Sequence, residues 1–179
     1  NNALSTYPKG TTTVTWTTTD AAGNSETCQQ TVTVIDNQLP VLTAPSNQTL
    51  STITGTCAAN YTISDPIADN CTGSTWTYTL SGATTFGPSS AIADGVGSGV
   101  VSFNKGVTTV TLNGVDAASN AAVVKTFTIT VNDNESPNIT CPAPVTVNTT
   151  TSQCSGTATL VLPTVSDNCA STFGNALNF

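Results

Sequence analysis

Six cysteines carry the clearest chemistry in this chain of 179 residues. They are Cys28, Cys57, Cys71, Cys141, Cys154 and Cys169. The chain contains no histidine and no Cys-x-x-Cys knuckle, so we do not expect these cysteines to hold zinc. Disulfide formation is the use that remains, and it predicts an oxidising, extracellular setting.

An internal repeat gives the sequence its organisation, and its period is the size of one small β-domain. Residues 9–45, which begin KGTTTVTWTTTDAAGN, return at residues 105–142, which begin KGVTTVTLNGVDAASN. Such a period is typical of tandem arrays, and residue 1 already lies inside a repeat. We therefore predict three segments: residues 1–35 are the C-terminal part of one repeat, residues 36–132 are a complete repeat, and residues 133–179 are the N-terminal part of a third.

The repeat also suggests how four of the cysteines pair. Cys57 aligns with Cys154, and Cys71 aligns with Cys169. Cys71 and Cys169 each end an Asp-Asn-Cys triplet. The two cysteines of each repeat lie close in sequence. We therefore predict the disulfides Cys57–Cys71 and Cys154–Cys169, each closing a short loop that contributes about 3 kcal/mol.

Cys28 and Cys141 need a different account. Cys141 aligns with Ala44, and Cys28 aligns with Val124 or Lys125, so the complete repeat lacks both cysteines at once. Such a paired loss is expected if the two positions normally bond to each other within one repeat. The partners of Cys28 and Cys141 are then predicted to lie outside this stretch of chain. The alternative is a Cys28–Cys141 bridge across repeats.

Acidic residues recur at three positions of the repeat, and each has an asparagine close by. These positions are Asp20 with Asp116, Asp36 with Asp133, and Asp69 with Asp167. Hard oxygen ligands at a junction between domains suit calcium, which would also offset part of the net charge of −7. The candidate calcium ligands are Asp20, Asp36, Asn37, Asp116, Asp133 and Asn134. The alternative is that these side chains cap turns by bonding to nearby backbone.

The composition also excludes several classes of function. Only three basic residues oppose ten acidic ones, so neither a phosphate-binding groove nor a nucleic-acid partner is expected. No apolar run approaches the roughly 20 residues that span a bilayer. The chain offers no histidine base and no pair of carboxylates framed by aromatic platforms, because Trp16 and Trp76 are expected in the core. We find no catalytic residues and expect no enzyme activity.

Strand signals are strong along the chain, and helix signals are nearly absent. Apolar side chains alternate with threonine, as at Trp76, Tyr78 and Leu80, which places one face of each strand on a core. Roughly seven such strands per repeat predict an all-β fold of tandem immunoglobulin-like or fibronectin-III-like antiparallel β-sandwiches. Short acidic linkers between repeats favour a stiff rod, and residues 81–99 are predicted to form a long polar loop or hairpin.

The ordered motifs FNKGVTTVT, DAASN, VNDNESPNITCP and VSDNC resemble the hyalin repeat (HYR) family over nearly the whole chain. The resemblance implies an immunoglobulin-like fold and a role in cell adhesion, in tandem copies within very long surface proteins. The segment WTYTLSGATT and the Gly/Ser-rich loop after it resemble bacterial versions in giant adhesins of gliding flavobacteria, which the type IX system exports.

Two shorter resemblances concern the ends of repeats. The run Val131-Asn-Asp-Asn134 is similar to the calcium-binding linker of cadherins. Residues 174–179, GNALNF, resemble the opening of a laminin-G or concanavalin-like jelly roll, which would make the third repeat run into a carbohydrate-binding module. The alternative for these six residues is the next strand of the repeat itself.

We therefore expect a non-catalytic extracellular stalk segment of a large repetitive cell-surface adhesin, serving cell adhesion or gliding motility. Its expected partners are the neighbouring repeats of the same chain, surface glycans or the substratum, and the export and motility machinery. One alternative is a carbohydrate- or surface-binding module that uses residues 81–99 or a threonine-rich sheet face. Another is an accessory domain of a secreted hydrolase. An exposed aromatic cluster would favour binding, and a uniform Thr/Asn surface would favour the stalk.

Overall fold

The computed structural model describes residues 4–169, and all of the regular structure there is β-strand. The strands are β1 (Gly10–Thr19), β2 (Ser25–Val34), β3 (Val41–Leu42), β4 (Gln48–Ser51), β5 (Ala58–Thr62), β6 (Ile67–Ala68), β7 (Thr75–Gly82), β8 (Ile92–Ala93), β9 (Val100–Asn104), β10 (Gly106–Val115), β11 (Lys125–Asn132), β12 (Asn138–Thr140) and β13 (Thr164–Ser166). Across these residues there is no helix that could cross a membrane. The predicted all-β class is confirmed, and the rod-like tandem arrangement stays a prediction.

The largest sheet has five strands in the order β4-β11-β10-β7-β8. β4 runs parallel to β11, and the other neighbours are antiparallel. The short antiparallel pairs β5–β9 and β3–β6 contribute buried side chains to the same core as this sheet, an arrangement consistent with a β-sandwich. Buried residues of this core run from Leu42 to Val131, inside the predicted complete repeat. The predicted boundaries at residues 35/36 and 132/133 remain predictions.

Strand β7 shows why the threonine-rich sequence folds this way. Trp76, Tyr78 and Leu80 are buried, while the threonines between them are only partly covered. This period of two fits a strand with one face on the core. Trp76 is fully buried, as predicted, and its indole N–H donates to the carbonyl oxygen of Val96 at 3.1 Å. A buried tryptophan thus has its one polar atom satisfied.

Residues 81–99 form a hairpin-like extension of the sheet, the second of the two predicted forms. Strand β8 pairs with the beginning of β7, with Ile92 opposite Trp76. The amide of Ser89 donates to the Tyr78 carbonyl at 2.9 Å, and the Ser89 hydroxyl accepts from the Tyr78 amide at 3.1 Å. These bonds fix the segment along β7 and leave Phe86 about half exposed on its outer side.

The hairpin β1–β2 corresponds in sequence to β10–β11, but one of its aromatic side chains is placed differently from our prediction. Trp16 was expected in a core and is 39% exposed, whereas Leu112, at the same place in the repeat, is fully buried. Strand β7 covers Leu112, since Tyr78 lies opposite it in the register. In the described part of the chain β1 pairs with β2 alone, so Trp16 lacks that cover. Residues 174–179 lie outside the described residues.

Candidate functional site

The disulfide in the described structure joins the predicted complete repeat to the predicted third segment. Cys57 and Cys169 are bonded, with their Cα atoms 4.8 Å apart and a sequence separation of 112. The predicted pairings Cys57–Cys71 and Cys154–Cys169 are therefore wrong. Cys71 and Cys154 have free thiols, so two of the four cysteines assigned to disulfides are bonded, one from each predicted pair and to each other.

The pairing differs because the turn that carries Cys57 packs against two parts of the third segment, near Glu135 and at Asn168. The amide of Gly55 donates to the Glu135 carboxylate at 2.9 Å. The side-chain amide of Asn168 donates to the Thr56 carbonyl at 2.9 Å and to the Thr52 hydroxyl at 3.3 Å. Asn168 immediately precedes Cys169, so the bonds it makes bring that cysteine to Cys57. The spacing within one repeat could not reveal this contact between repeats.

A lysine–aspartate ion pair lies beside the disulfide. The Lys105 ammonium group is 3.2 Å from Oδ2 of Asp133, whose Oδ1 accepts from the Glu135 amide at 3.2 Å. Burial pulls the pKa of Asp133 upward, but the Lys105 and backbone hydrogen bonds outweigh it and the net pKa is lowered. We call the group formed by Lys105, Asp133, Asp167 and Cys169 the second junction.

The same arrangement occurs where the first segment meets the complete repeat. The Lys9 ammonium group is 3.1 Å from Oδ2 of Asp36, whose side chain is only 1% exposed. A hydrogen bond from the Cys71 thiol to the Asp36 carboxylate, together with the hydrogen bond from Lys9, lowers the pKa of Asp36. The same bond to Asp36, reinforced by burial, raises the pKa of the Cys71 thiol. We call the group formed by Lys9, Asp36, Asp69 and Cys71 the first junction.

Each junction contains an Asp-Asn-Cys triplet folded in the same way. The carboxylate of Asp69 accepts from the Cys71 amide at 3.3 Å. The carboxylate of Asp167 accepts from the Cys169 amide at 2.8 Å. An aspartate that bonds the backbone two residues ahead forms an Asx-turn, which fixes the direction of the following side chain. The Asp-Asn-Cys triplet thus fixes the orientation of its cysteine side chain in both junctions.

Two clusters of acidic groups lie at these junctions. Carboxylate oxygens of Asp36, Asp69 and Asp116 lie within 4.8 Å of one another, as do the ligand atoms of Asp133, Asp167 and Cys169. The first cluster unites two predicted calcium ligands, Asp36 and Asp116, and adds Asp69, one of whose carboxylate oxygens is buried without a hydrogen-bond partner. Three carboxylates could hold calcium at the first junction, whereas the sulfur of Cys169 is committed to its disulfide.

The other predicted calcium ligands lie elsewhere or have other partners. Asn37 is exposed beside the first junction, and the Asn134 amide donates to the Ser51 hydroxyl at 2.7 Å. Asp20 belongs to neither cluster of the described residues. Asp69 and Asp167 were absent from the predicted ligand set, although their repetition in the Asp-Asn-Cys triplet was the signal that could have added them.

Asp20 and Asp116 act as turn caps, the alternative that the sequence left open. In each turn one carboxylate oxygen accepts from two backbone amides and the other accepts from an asparagine side chain. For Asp20 the donors are Ala22 at 2.9 Å, the Asn24 amide at 2.8 Å and the Asn24 side chain at 2.8 Å. For Asp116 they are Ala118 at 2.9 Å, the Asn120 amide at 2.7 Å and the Asn120 side chain at 2.7 Å. Capping accounts for both carboxylates.

The capping bonds also set the charge of these carboxylates. Hydrogen bonds from Asn24 lower the pKa of Asp20. Burial raises the pKa of Asp116, but the bonds from Asn120 and Ala118 outweigh it, and its net pKa is also lowered. Both aspartates are thereby held as anions. In addition, the Asn120 side chain donates to the backbone carbonyl of Asp36 at 3.2 Å, which ties this cap to the first junction.

Cys28 and Cys141 are exposed and form no disulfide within residues 4–169. The alternative Cys28–Cys141 bridge is therefore not formed. Their predicted partners outside this stretch of chain remain a prediction.

Comparison with known proteins connects one part of the chain to a family. Residues 2–34 match the family model of the HYR domain. The match supports a HYR domain in the part of the chain that contains Lys9 and the Asp20 turn, and HYR domains are modules of the extracellular or cell-surface type. A search of curated proteins found no match to this chain.

Proposed function

We propose that this chain is a non-catalytic spacer segment of a large extracellular adhesin, in which the junctions hold successive β-sandwich units in a fixed relation. The observation that carries the proposal is the Cys57–Cys169 disulfide, which fastens the complete repeat to the segment after it. Arrays of small domains set reach and spacing, and they do so best when the joints resist bending. The HYR match supports the adhesion role.

The chemistry of the second junction supports stiffness. A flexible joint would need a free linker. Here the turn at residues 55–57 is held by three bonds: a hydrogen bond to the Glu135 carboxylate, a hydrogen bond from the Asn168 side-chain amide, and the disulfide. A covalent cross-link removes the conformations in which the two segments separate. Neighbouring repeats of the same chain are thus the first partners, and the proposed setting is the oxidising cell exterior.

The wider context of the proposal comes from the resemblance to giant adhesins of gliding flavobacteria. In that context the full protein leaves the cell by the type IX system and acts at the cell surface in adhesion or gliding. Surface glycans or the substratum would then be engaged elsewhere in the protein, at a distance set by the array.

Small-angle X-ray scattering of the intact chain tests the proposal. The bridge variant Cys57→Ser/Cys169→Ser is compared with the matched control Cys28→Ser/Cys141→Ser, which also loses two cysteines but keeps the disulfide. We expect the native chain and the control to scatter as the same extended, well-defined particle, and the bridge variant to show a broader distribution of dimensions. Circular dichroism verifies that each variant is folded. Equal flexibility in all three proteins would contradict the proposal.

A second candidate function is glycan binding beside residues 81–99, because the structure places an exposed aromatic side chain there. Phe86 is 53% exposed and packs against Tyr78 in a tilted arrangement, with ring centroids 5.8 Å apart. A groove of about 310 Å³ next to it is also lined by Thr84 and Ser102, which offer hydroxyl groups. Glycan-array binding that Phe86→Ala abolishes and Val123→Ala preserves would support this function. Absence of binding by the native chain would exclude it for the glycans on the array.

A further inference from the structure

The two cysteines left free by the unexpected pairing sit at positions equivalent to the two that are bonded. Cys154 corresponds to Cys57, and Cys71 corresponds to Cys169. We propose that the Cys57–Cys169 bridge is one link of a periodic series, in which Cys71 bonds the Cys57-type turn of a preceding repeat and Cys154 bonds the Cys169-type triplet of a following one. The inference rests on the proposed tandem array and assigns a partner to each free thiol.

The turns around Cys57 and Cys154 have the same backbone. In the first, the Ile53 amide donates to the Ala58 carbonyl at 2.8 Å and the Thr56 amide donates to the Ile53 carbonyl at 2.8 Å. In the second, the Thr150 amide donates to the Ser155 carbonyl at 2.8 Å and the Gln153 amide donates to the Thr150 carbonyl at 3.1 Å. Gly55 and Ser152, at the same place in the two turns, both have positive φ, 76° and 67°. Cys154 is therefore presented as Cys57 is.

The surroundings of Cys71 match those of Cys169 equally well. Each cysteine follows an Asx-turn, and each lies beside an aspartate that is paired with a lysine, Lys9 with Asp36 at 3.1 Å and Lys105 with Asp133 at 3.2 Å. The lysine and the triplet come from different segments in both cases. The first junction thus has the same ion pair and the same cysteine triplet as the part of the second junction that binds the Cys57 turn.

The groups that dock the turn are also present at the first junction. Asn70 stands where Asn168 stands in the second junction, and it is exposed, with its amide free to approach a turn from a preceding repeat. Gln38 stands where Glu135 stands, and its side-chain carbonyl can accept the amide bond that the Glu135 carboxylate accepts from Gly55. The occupant that fits is therefore another copy of the residues 51–57 turn.

Each link forms by thiol–disulfide exchange with a disulfide oxidant, such as oxidised glutathione in the experiment below. The two cysteine thiols lose two protons and two electrons as their S–S bond forms, and the disulfide of the oxidant takes up both and leaves as two thiols. The hydrogen bond from the Cys71 thiol to Asp36 is lost in this step, and the Lys9 partner remains to balance the Asp36 charge.

A periodic series would change how the array carries tension. Force would enter a repeat through Cys71, follow the backbone back to Cys57, and leave through the next bridge. The long strands β7, β10 and β11 lie after Cys71 and would be bypassed by this covalent path. The covalent path through a pulled array would therefore contain only the short Cys57–Cys71 stretch of each repeat, with β5 and β6, and the three long strands would carry no tension.

Duplicating the complete repeat within the chain tests the proposal, because it supplies a following repeat for Cys57 and a preceding one for the second Cys71. In this protein, residues 36–132 occur twice in tandem before residue 133. After refolding with oxidised and reduced glutathione, free thiols are alkylated and the unreduced protein is cleaved at lysine. Cleavage separates the cysteines of the two copies and of the last segment into three different peptides, since Lys105 and Lys125 lie between them.

The series predicts that all three peptides remain linked, with Cys57 of the first copy bonded to Cys71 of the second, and Cys57 of the second copy bonded to Cys169. Cys71→Ser in the second copy should release the first peptide and leave the other two joined. Alkylation of the second Cys71, or its bonding to Cys57 of its own copy, would overturn the inference. X-ray scattering by the same protein distinguishes this inference from the proposed function. If the particle becomes longer by a fixed amount but the disulfides are absent, only the periodic series is refuted. If the disulfides form but the particle is compact, the spacer function is refuted.

Discussion

Gly23 and Ser119 occupy the same left-handed position of two equivalent turns, with φ of 89° and 72°. Glycine adopts this conformation without strain, but a serine does so at a cost. Both turns are closed by an aspartate, Asp20 or Asp116, whose carboxylate holds three donors. The cap therefore dictates the backbone of the turn, and the residue at this position adapts to it.

We expect Ser119→Gly to raise the free energy of unfolding by about 0.5–1 kcal/mol, since it relieves the left-handed strain and offsets the added chain entropy of glycine. The matched control is Ala118→Gly, one residue earlier, where φ is not positive and glycine should lower stability by about as much. Urea unfolding of both variants measures the difference. An equal loss in the two variants would show that Ser119 is not strained.

Removal of the inter-repeat disulfide should be costly because it closes a long loop. The chain-entropy relation gives about 4–5 kcal/mol for a separation of 112 residues. We expect Cys57→Ser/Cys169→Ser to lower the midpoint of thermal unfolding well below that of the native chain, and Cys28→Ser/Cys141→Ser to leave it unchanged. Equal midpoints for the two double variants would mean that the bridge adds no stability.

When the chain is pulled by its ends with an atomic force microscope, the disulfide should shorten the contour length that is reached at full extension. With the disulfide intact, the residues between Cys57 and Cys169 cannot contribute to extension. Reduction should release about 390 Å of additional contour length, at about 3.5 Å per residue. The same released length in Cys57→Ser without reductant is the internal control. Full extension of the oxidised native chain would contradict the pairing.

Acid should destabilise the junctions in a defined window. The pKa of Asp36, like that of Asp133, is lowered in the folded state, so each contributes stability that is present above the unfolded value near 3.8 and is lost as the pH falls through the lower folded value. Melting temperatures measured from pH 6 to pH 2 should fall most steeply below about pH 4. Asp36→Asn should flatten that fall, and an equally steep fall in this variant would contradict the assignment.

At high pH the same junction should weaken for the opposite reason. The pKa of Lys9 is raised by its hydrogen bond to Asp36, and the pKa of Cys71 is raised by its own bond to that carboxylate. The stability that both groups add is complete below their unfolded values, 9.0 for the thiol and 10.5 for the amine, and is lost as the pH rises through the higher folded values. A melting temperature that stays constant from pH 8 to pH 11 would contradict this coupling.

The calcium hypothesis and the turn-cap alternative are separated by one titration. If calcium binds at Asp36, Asp69 and Asp116, isothermal titration should give one site, and chelation should lower the melting temperature of the native chain but not of Asp69→Asn. Glu26→Gln should behave as the native chain does. Unchanged thermal stability on chelation would leave Asp116 as a turn cap and Asp36 as the partner of Lys9.

The sequence predicted most of what depends on local pattern. The period of two along β7 correctly placed Trp76 in the core, because alternation in a strand decides which face is buried. The internal repeat likewise identified Asp20 and Asp116 as equivalent positions, and the structure shows them in equivalent turns. Such features depend on residues near one another in the chain, and these are visible without a structure.

What the sequence could not reveal depends on contacts between segments. Trp16 has the same strand pattern as Leu112, but its burial requires a neighbouring strand on both sides, and among the described residues only Leu112 has both. The cysteine pairing failed for a related reason, since short spacing favoured Cys57–Cys71 while Asn168 brings Cys169 to Cys57 from another repeat. The alternation of apolar residues predicts which face of a strand is apolar, but contacts with other segments determine whether that face is buried.

The most direct test of the central claim is a lysine-specific digest of the native chain without reduction, after free thiols have been blocked. Lys105 and Lys125 lie between Cys57 and Cys169, so an inter-repeat bridge must keep peptide 10–105 joined to peptide 126–179 until reductant is added. Mass spectrometry should find this joined species, with Cys28, Cys71, Cys141 and Cys154 all alkylated. Separate peptides, each with an internal Cys57–Cys71 or Cys154–Cys169 disulfide, would contradict the account.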